Sequence, residues 1–250
     1  MQYQYLQNIE RINGYLEDNI DALTWDDFKS VILALYYDPD DKKNDEKLYM
    51  AIEKFYLEGN VPFRFASKDR YVLENNDIDF SLDGLISFNK ILDLVYTPDE
   101  DKISIVKEAI TYYRRIRKNV HGQVLFPCRR EGYRTINQQR AANGMYDRID
   151  YALADIKLYL SGDGESCKMK QVYEKNSDTK KWLEPYKGKW TVLVDDMKWT
   201  VFLDNYEIWD FKKDKQLSDY PNKREKPDAN YLRNLCERLE SRSILLANFK

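Results

Sequence analysis

One histidine, three cysteines and no long apolar run are what this chain has least of, and each scarcity removes a class of chemistry. With His121 alone, every metal motif that needs two imidazoles is excluded. Cys128, Cys167 and Cys236 are odd in number and far apart, which argues against a disulfide framework and against a cysteine zinc site. Carboxylate-held Mg²⁺, Mn²⁺ or Ca²⁺ remain as metal options, and no metal or cofactor is assigned to the site below. No stretch approaches the roughly eighteen apolar residues of a membrane span. The start, Met1-Gln2-Tyr3-Gln4-Tyr5, lacks the basic-then-apolar layout of a signal peptide. A cytoplasmic protein without membrane contact is expected. A Gly-rich phosphate loop and a Gly-x-Ser-x-Gly elbow are absent, and a thiol hydrolase would have to pair Cys128 with His121 without any recognisable signature.

What the chain does have is length for a sizeable core, 20 tyrosines, and a lopsided charge. Residues 16–101 hold 21 Asp plus Glu against 9 Lys plus Arg, a net of −12, whereas residues 102–250 hold 21 against 30, a net of +9. Compositional drift over a solvated surface is one account; a basic half that meets an anion is the other.

Helical spacing at Tyr5, Ile9, Ile12, Leu16 and Ile20, capping at Thr24 before Phe28, Val31, Ile32 and Leu35, and the series Leu48, Ile52, Phe55 predict short N-terminal helices. The loop Asp38-Pro39-Asp40-Asp41 ends the second. Residues 59–79 read as irregular, with a short strand at Tyr71-Val72-Leu73. Thr97-Pro98-Asp99-Glu100 combines a cap, a first-turn proline and an acid three residues on, so a helix starts there, with Ile103, Val106, Ile110 and Tyr113 facing the core. Gln123 to Phe126 reads as a buried strand stopped by Pro127. Thr135-Ile136-Asn137-Gln138 is a second capping box, predicted to open one helix through Met145, Ile149, Leu153, Ile156 and Leu160 until Ser161-Gly162. Residues 189–203 fit strands or a buried helix broken at Asp195-Asp196, and Asp228 caps a last helix. The fold class is α+β, predominantly helical with a small sheet. A single domain over 1–250 is expected, with an acidic, mainly helical part (1–96) and a basic part (97–250) that carries the motifs.

Phe126-Pro127, Thr135-Ile136-Asn137-Gln138-Gln139-Arg140, Asp147-Arg148-Ile149-Asp150 and Leu153-Ala154-Asp155-Ile156, in that order, resemble an uncharacterised bacterial family. That family, a domain of unknown function, carries a Phe-Pro step, a Thr-Ile-Asn-x-x-Arg-Gly motif and an Asp-Arg-Phe-Asp-x-x-Leu helix. The likeness covers roughly residues 110–250, including Tyr186-Lys187-Gly188 and the run Tyr231 to Arg242. Ala141 stands where the family has glycine, Ile149 replaces its aromatic, and the acidic first hundred residues show no such likeness. The resemblance implies no reaction, but it implies that Asn137, Arg140 and Asp147 form the centre of the site.

Arg140, Gly144 and Asp147 share a helix face in this reading, and a mid-helix glycine costs about 1 kcal/mol relative to alanine. That cost asks for a ligand or a backbone close by. The functional reading is Arg140 gripping a phosphate or carboxylate, Asn137 orienting it and Gly144 making room; the structural one is a buried Arg140–Asp147 pair. His121 is a candidate general acid or base at neutral pH. Arg114, Arg117 and Lys118 share its face at a helix end, where the dipole also favours cations. With Arg129, Arg130 and Arg134 they make a candidate nucleic-acid or anion surface, interleaved with Tyr112, Tyr113 and Tyr133. Arg115 to His121 resembles the Arg-x(4–6)-His element of HEPN-type ribonucleases, although Ile116 stands where a polar residue is usual. Asp195-Asp196 admits a Mg²⁺ reading or a turn.

Three readings follow. The first is engagement of RNA or another phosphate-bearing ligand, extending to a metal-independent endoribonuclease of abortive-infection (phage-defence) or toxin type, with His121 as acid/base, Arg140 stabilising the transition state, and Asn137 and Asp147 completing the catalytic set. The second is a non-enzymatic module that binds a protein partner or itself. The third is a small-molecule enzyme with an arginine carboxylate clamp.

Overall fold

The computed structural model describes residues 22–36, 45–57, 60–67, 72–96, 102–116, 120–145, 147–222 and 225–247. Helix α1 (Trp25–Tyr36) starts where Thr24 predicts it, the Thr24 hydroxyl accepting from the amide of Asp27 at 3.2 Å. Helix α2 (Asp45–Leu57) buries Leu48, Ile52 and Tyr56. The proposed helix over Tyr5–Ile20, the loop Asp38–Asp41 and the cap at Thr97–Glu100 lie outside the described residues.

The stretch read as irregular with one short strand at 71–73 holds three: β1 (Arg64–Ser67), β2 (Val72–Asn75), where that strand is expected, and β3 (Ile78–Gly84). They join β4 (Gln123–Pro127) in a four-stranded antiparallel meander of order β1-β2-β3-β4. The turn between β2 and β3 is Asn76-Asp77 at φ 50° and 61°, the left-handed pair that a two-residue hairpin turn requires. The pairing of β3 with β4, Leu82 opposite Leu125, stitches the acidic part of the chain to the basic part.

Helix α3 (Phe88–Tyr96) and helix α4 (Ile103–Ile116) follow the sheet's third strand, with Val106, Ile110 and Tyr113 buried as their spacing predicts. After β4 comes α5 (Ile136–Ala142), opened by Thr135, whose hydroxyl accepts from the Gln138 amide while the Gln138 side chain accepts from the Thr135 amide. One helix was expected from here to Leu160, but there are two, α5 and α6 (Ile149–Leu160). Gly144 adopts φ +66°, and the amides of Gly144 and Met145 return to the carbonyls of Ala141 and Arg140 at 3.1 and 2.8 Å. This is a left-handed helix stop, closed by a buried Met145. Gly144 is therefore needed for its backbone angle and not to make room, since a Cβ there would meet nothing within 4 Å.

Helices α7 (Lys170–Lys175), α8 (Ser177–Leu183) and α9 (Trp190–Asp196) succeed one another through short turns, so the region around Asp195-Asp196 is helical. A small sheet β5 (Leu203–Asp204), β6 (Glu207–Asp210), β7 (Lys215–Gln216) precedes α10 (Ala229–Ala247), which Asp228 caps through the amide of Tyr231 at 3.0 Å. The protein is α+β and predominantly helical, with ten α-helices and two antiparallel sheets among the described residues. Its buried apolar side chains form one cluster from Leu23 to Leu239, in which Phe80, Phe126, Trp182 and Trp199 meet edge-on or tilted. No described helix is long and apolar enough to cross a membrane.

Candidate functional site: an arginine loop beside two buried arginines

The arginines of the motif region fall into two sets. Arg140, near the end of α5, is fully buried; its Nη1 donates to the Asp83 carboxylate on β3, and its guanidinium lies 5.5 Å from the ring centre of Phe126. Burial pushes the Asp83 carboxyl above its usual range against the pull of Arg140, and Asp147 adds a second negative charge nearby. Asp147 is spent elsewhere: its carboxylate accepts from the amide of Ser87, the residue before α3. Arg140 is thus anchored to Asp83, a partner 57 residues away.

Arg148 is equally buried. Its Nε and Nη2 grip Asp150 in a fork at 2.8 and 2.6 Å, Nη2 also reaches Asp210 at 3.1 Å, and Nη1 donates to the carbonyl of Glu225 at 2.9 Å. Tyr151 lies under the guanidinium at 3.7 Å and Tyr231 at 5.0 Å. All three charged side chains are at most 1% exposed. A bidentate carboxylate, a second carboxylate and two ring faces are what a guanidinium needs to leave water. Asp155, the later acid of the motif, is buried too and accepts from the amides of Lys168 and Met169 and from the hydroxyls of Tyr173 and Tyr220. The segments that carry the family resemblance are therefore devoted largely to burying charge.

The second set stands on the loop between β4 and α5. Arg129 is tied down, its Nε donating to Asp79 at 2.8 Å with Asp178 at 4.0 Å. Arg130 and Arg134 are exposed and have no ion-pair partner among the described residues. With Gly132, Tyr133 and Gln138 they line an open cleft of about 740 Å³. The loop is fixed through its backbone. Asn176, fully buried, donates from Nδ2 to the carbonyls of Arg129 and Tyr133 at 2.8 and 3.2 Å, and its Oδ1 caps α8 by accepting from the Thr179 amide. The Ser177 amide donates to the Glu131 carbonyl at 2.9 Å. Gly132 sits at φ +79°, and a Cβ there would lie 2.6 Å from the Lys175 carbonyl, so only glycine fits.

Among the described residues, the structure does not gather the sequence candidates in one cleft. Arg130 and Arg134 line it together; Arg129 is beside it but paired; Arg140 and Asp147 are in or against the core. Asn137 is half-buried, its Oδ1 without a hydrogen-bond partner among the described residues, and is not one of the lining residues. His121 occupies the 3₁₀ turn Val120–Gly122 ahead of β4; its side chain, that of Arg114, and all of Arg117 and Lys118 lie outside the described residues. Burial and the nearby Asp79 push the Cys128 thiol up to about 11, away from thiolate chemistry at neutral pH. Asp195 accepts from the Tyr206 hydroxyl, and Asp196 from the Tyr186 hydroxyl and from Nδ2 of the Asn60 side chain, so tyrosines take up both acids. Sequence reasoning passed over Asn176 and Asp83; Asn176-Ser177-Asp178-Thr179 is a legible helix start, whereas nothing local marks Asp83.

A family of unknown function (DUF6994) matches residues 46–242. The match begins well inside the acidic part, so the likeness is not confined to residues 110–250. No curated protein and no solved structure matches the chain.

Proposed function

The chain thus belongs to a family of unknown function, which brings no reaction with it, and we propose that it binds single-stranded RNA by its phosphates through the loop of Arg130, Tyr133 and Arg134. One observation carries this reading: two exposed guanidinium groups without ion-pair partners among the described residues flank a tyrosine in an open cleft, on a loop whose backbone is bonded in place. Guanidinium groups hold phosphate oxygens in a fork, and a tyrosine ring offers a stacking face to an unpaired base. The net charge of +9 over residues 102–250 favours a polyanion at long range.

Binding is preferred to cleavage because Arg140, the group a phosphorane would need, is buried in an ion pair with Asp83. The cytoplasm is the proposed compartment, and capture of RNA in an abortive-infection or toxin response is the proposed setting. The test is fluorescence anisotropy with a labelled single-stranded oligoribonucleotide at low salt. The wild type should bind, and Arg130→Ala with Arg134→Ala should bind about tenfold weaker or worse, as loss of charge-assisted contacts predicts. A wild type that does not bind overturns the proposal. RNA recovered intact supports binding alone, whereas cleavage abolished by His121→Ala would restore the ribonuclease reading.

A further inference from the structure

We infer that the junction between α7 and α8 completes the RNA site, with Lys175 as a further phosphate-contacting cation and Asn176 as the residue that positions the arginine loop. The inference rests on the reading of that loop as an RNA-binding site. Lys175 is exposed, has no ion-pair partner among the described residues, and holds its Nζ 5.8 Å from the ring centre of Tyr133. It therefore sits over the tyrosine that lines the cleft with Arg130 and Arg134. The backbone of Lys175 takes part as well, because its carbonyl is the surface against which Gly132 is pressed. The Tyr133 hydroxyl donates to Gln171 on α7 at 2.7 Å, which fixes the ring's orientation from the same segment.

Asn176 links the two segments. One amide group of one side chain holds the carbonyls at both ends of the loop, Arg129 and Tyr133, while its oxygen caps the following helix. The side chain of Ser177 adds a bond to the Glu131 carboxylate at 2.9 Å. A loop held at 129, 131, 132 and 133 does not have to be ordered when ligand arrives. The backbone that carries the arginines is held in place, so the entropy of ordering the loop backbone does not reduce affinity. The junction thus supplies the third cation and the rigidity of the loop that carries the other two.

The probe is the labelled single-stranded oligoribonucleotide, its affinity measured over a salt series well below the unfolding temperature of every variant. Lys175→Gln, on the surface, should bind several-fold weaker, with the slope of log affinity against log salt reduced by about one. Asn176→Ser keeps a helix-capping oxygen but cannot reach the loop carbonyls. It should also bind several-fold weaker, with the wild-type salt slope, because all three cations remain. If both variants bind as the wild type does while Arg130→Ala with Arg134→Ala is impaired, this inference fails and the RNA site stands. If the wild type does not bind, both fail. Should Asn176→Ser not fold, Lys175→Gln decides: an unchanged salt slope overturns the inference, and a slope reduced by one upholds it.

Discussion

Arg140 and Arg148 carry the same side chain as Arg130 and Arg134, yet the first pair is sealed in the core and the second stands in water. Around the first pair the chain has assembled Asp83, Asp150 and Asp210 and the rings of Phe126, Tyr151 and Tyr231. Around the second pair it has assembled no carboxylate partner among the described residues, only an open cleft and a tyrosine. A buried guanidinium is stable only when its charge is matched, and the match consumes it. An exposed one left unmatched on a rigid loop keeps its donors for something else. A motif's densest charged positions therefore need not be its working positions.

The comparison is broken most severely by attacking the buried set. Arg148→Met should cost about 3–5 kcal/mol of stability in urea denaturation, because Asp150 would be left as an uncompensated buried charge and Asp210 with Lys213 at 3.7 Å as its remaining cation. A cost below 1 kcal/mol would show that the network is not structural. Arg140→Met should cost less, about 3 kcal/mol, since it leaves Asp83, which retains some access to solvent, and a ring contact with Phe126. The RNA affinity of whatever remains folded should match wild type, and a selective loss of affinity without loss of stability would make Arg140 a binding residue after all.

The smallest expected effect is one of pH. The Asp83 carboxyl is pushed above 3.8 by burial, so between that value and its higher folded value the folded protein holds more protons than the unfolded chain. Stability from this group is greatest below 3.8 and is lost as the pH rises through the folded value. Asp83→Asn should remove that component, so the stability difference between wild type and Asp83→Asn should shift against wild type as the pH rises across this window. A difference flat in pH would mean that Arg140 offsets the burial of Asp83 fully.

Local chemistry was legible in the sequence and distant chemistry was not. The caps at Thr24, Thr135 and Asp228 lie within three residues of the amides they satisfy, and each opens its helix as read. The β4 strand and its end at Pro127 were equally plain. The hairpin of β2 and β3 was missed because Asn76-Asp77 lacks the glycine that usually advertises a left-handed turn, although apolar residues flank it on both sides. Gly144 reads in the sequence as a cost inside a helix and is in fact a stop, since the apolar stripe keeps its helical spacing across the gap. The candidate site suffered from distance in the same way: Arg140 was matched to Asp147 on its own supposed helix, and its real partner arrives from β3. Arg130 and Arg134 were identified as cations, but the clamp that presents them comes from Asn176, more than forty residues downstream.

The most direct measurement is the salt dependence of single-stranded RNA binding for wild type and for Arg130→Ala with Arg134→Ala, with urea denaturation of both. Exposed arginines that bind and do not stabilise predict a salt slope reduced by about two and a stability within about 0.5 kcal/mol of wild type. An unchanged slope, or a double variant that binds normally but unfolds easily, would contradict the division of labour between the two sets.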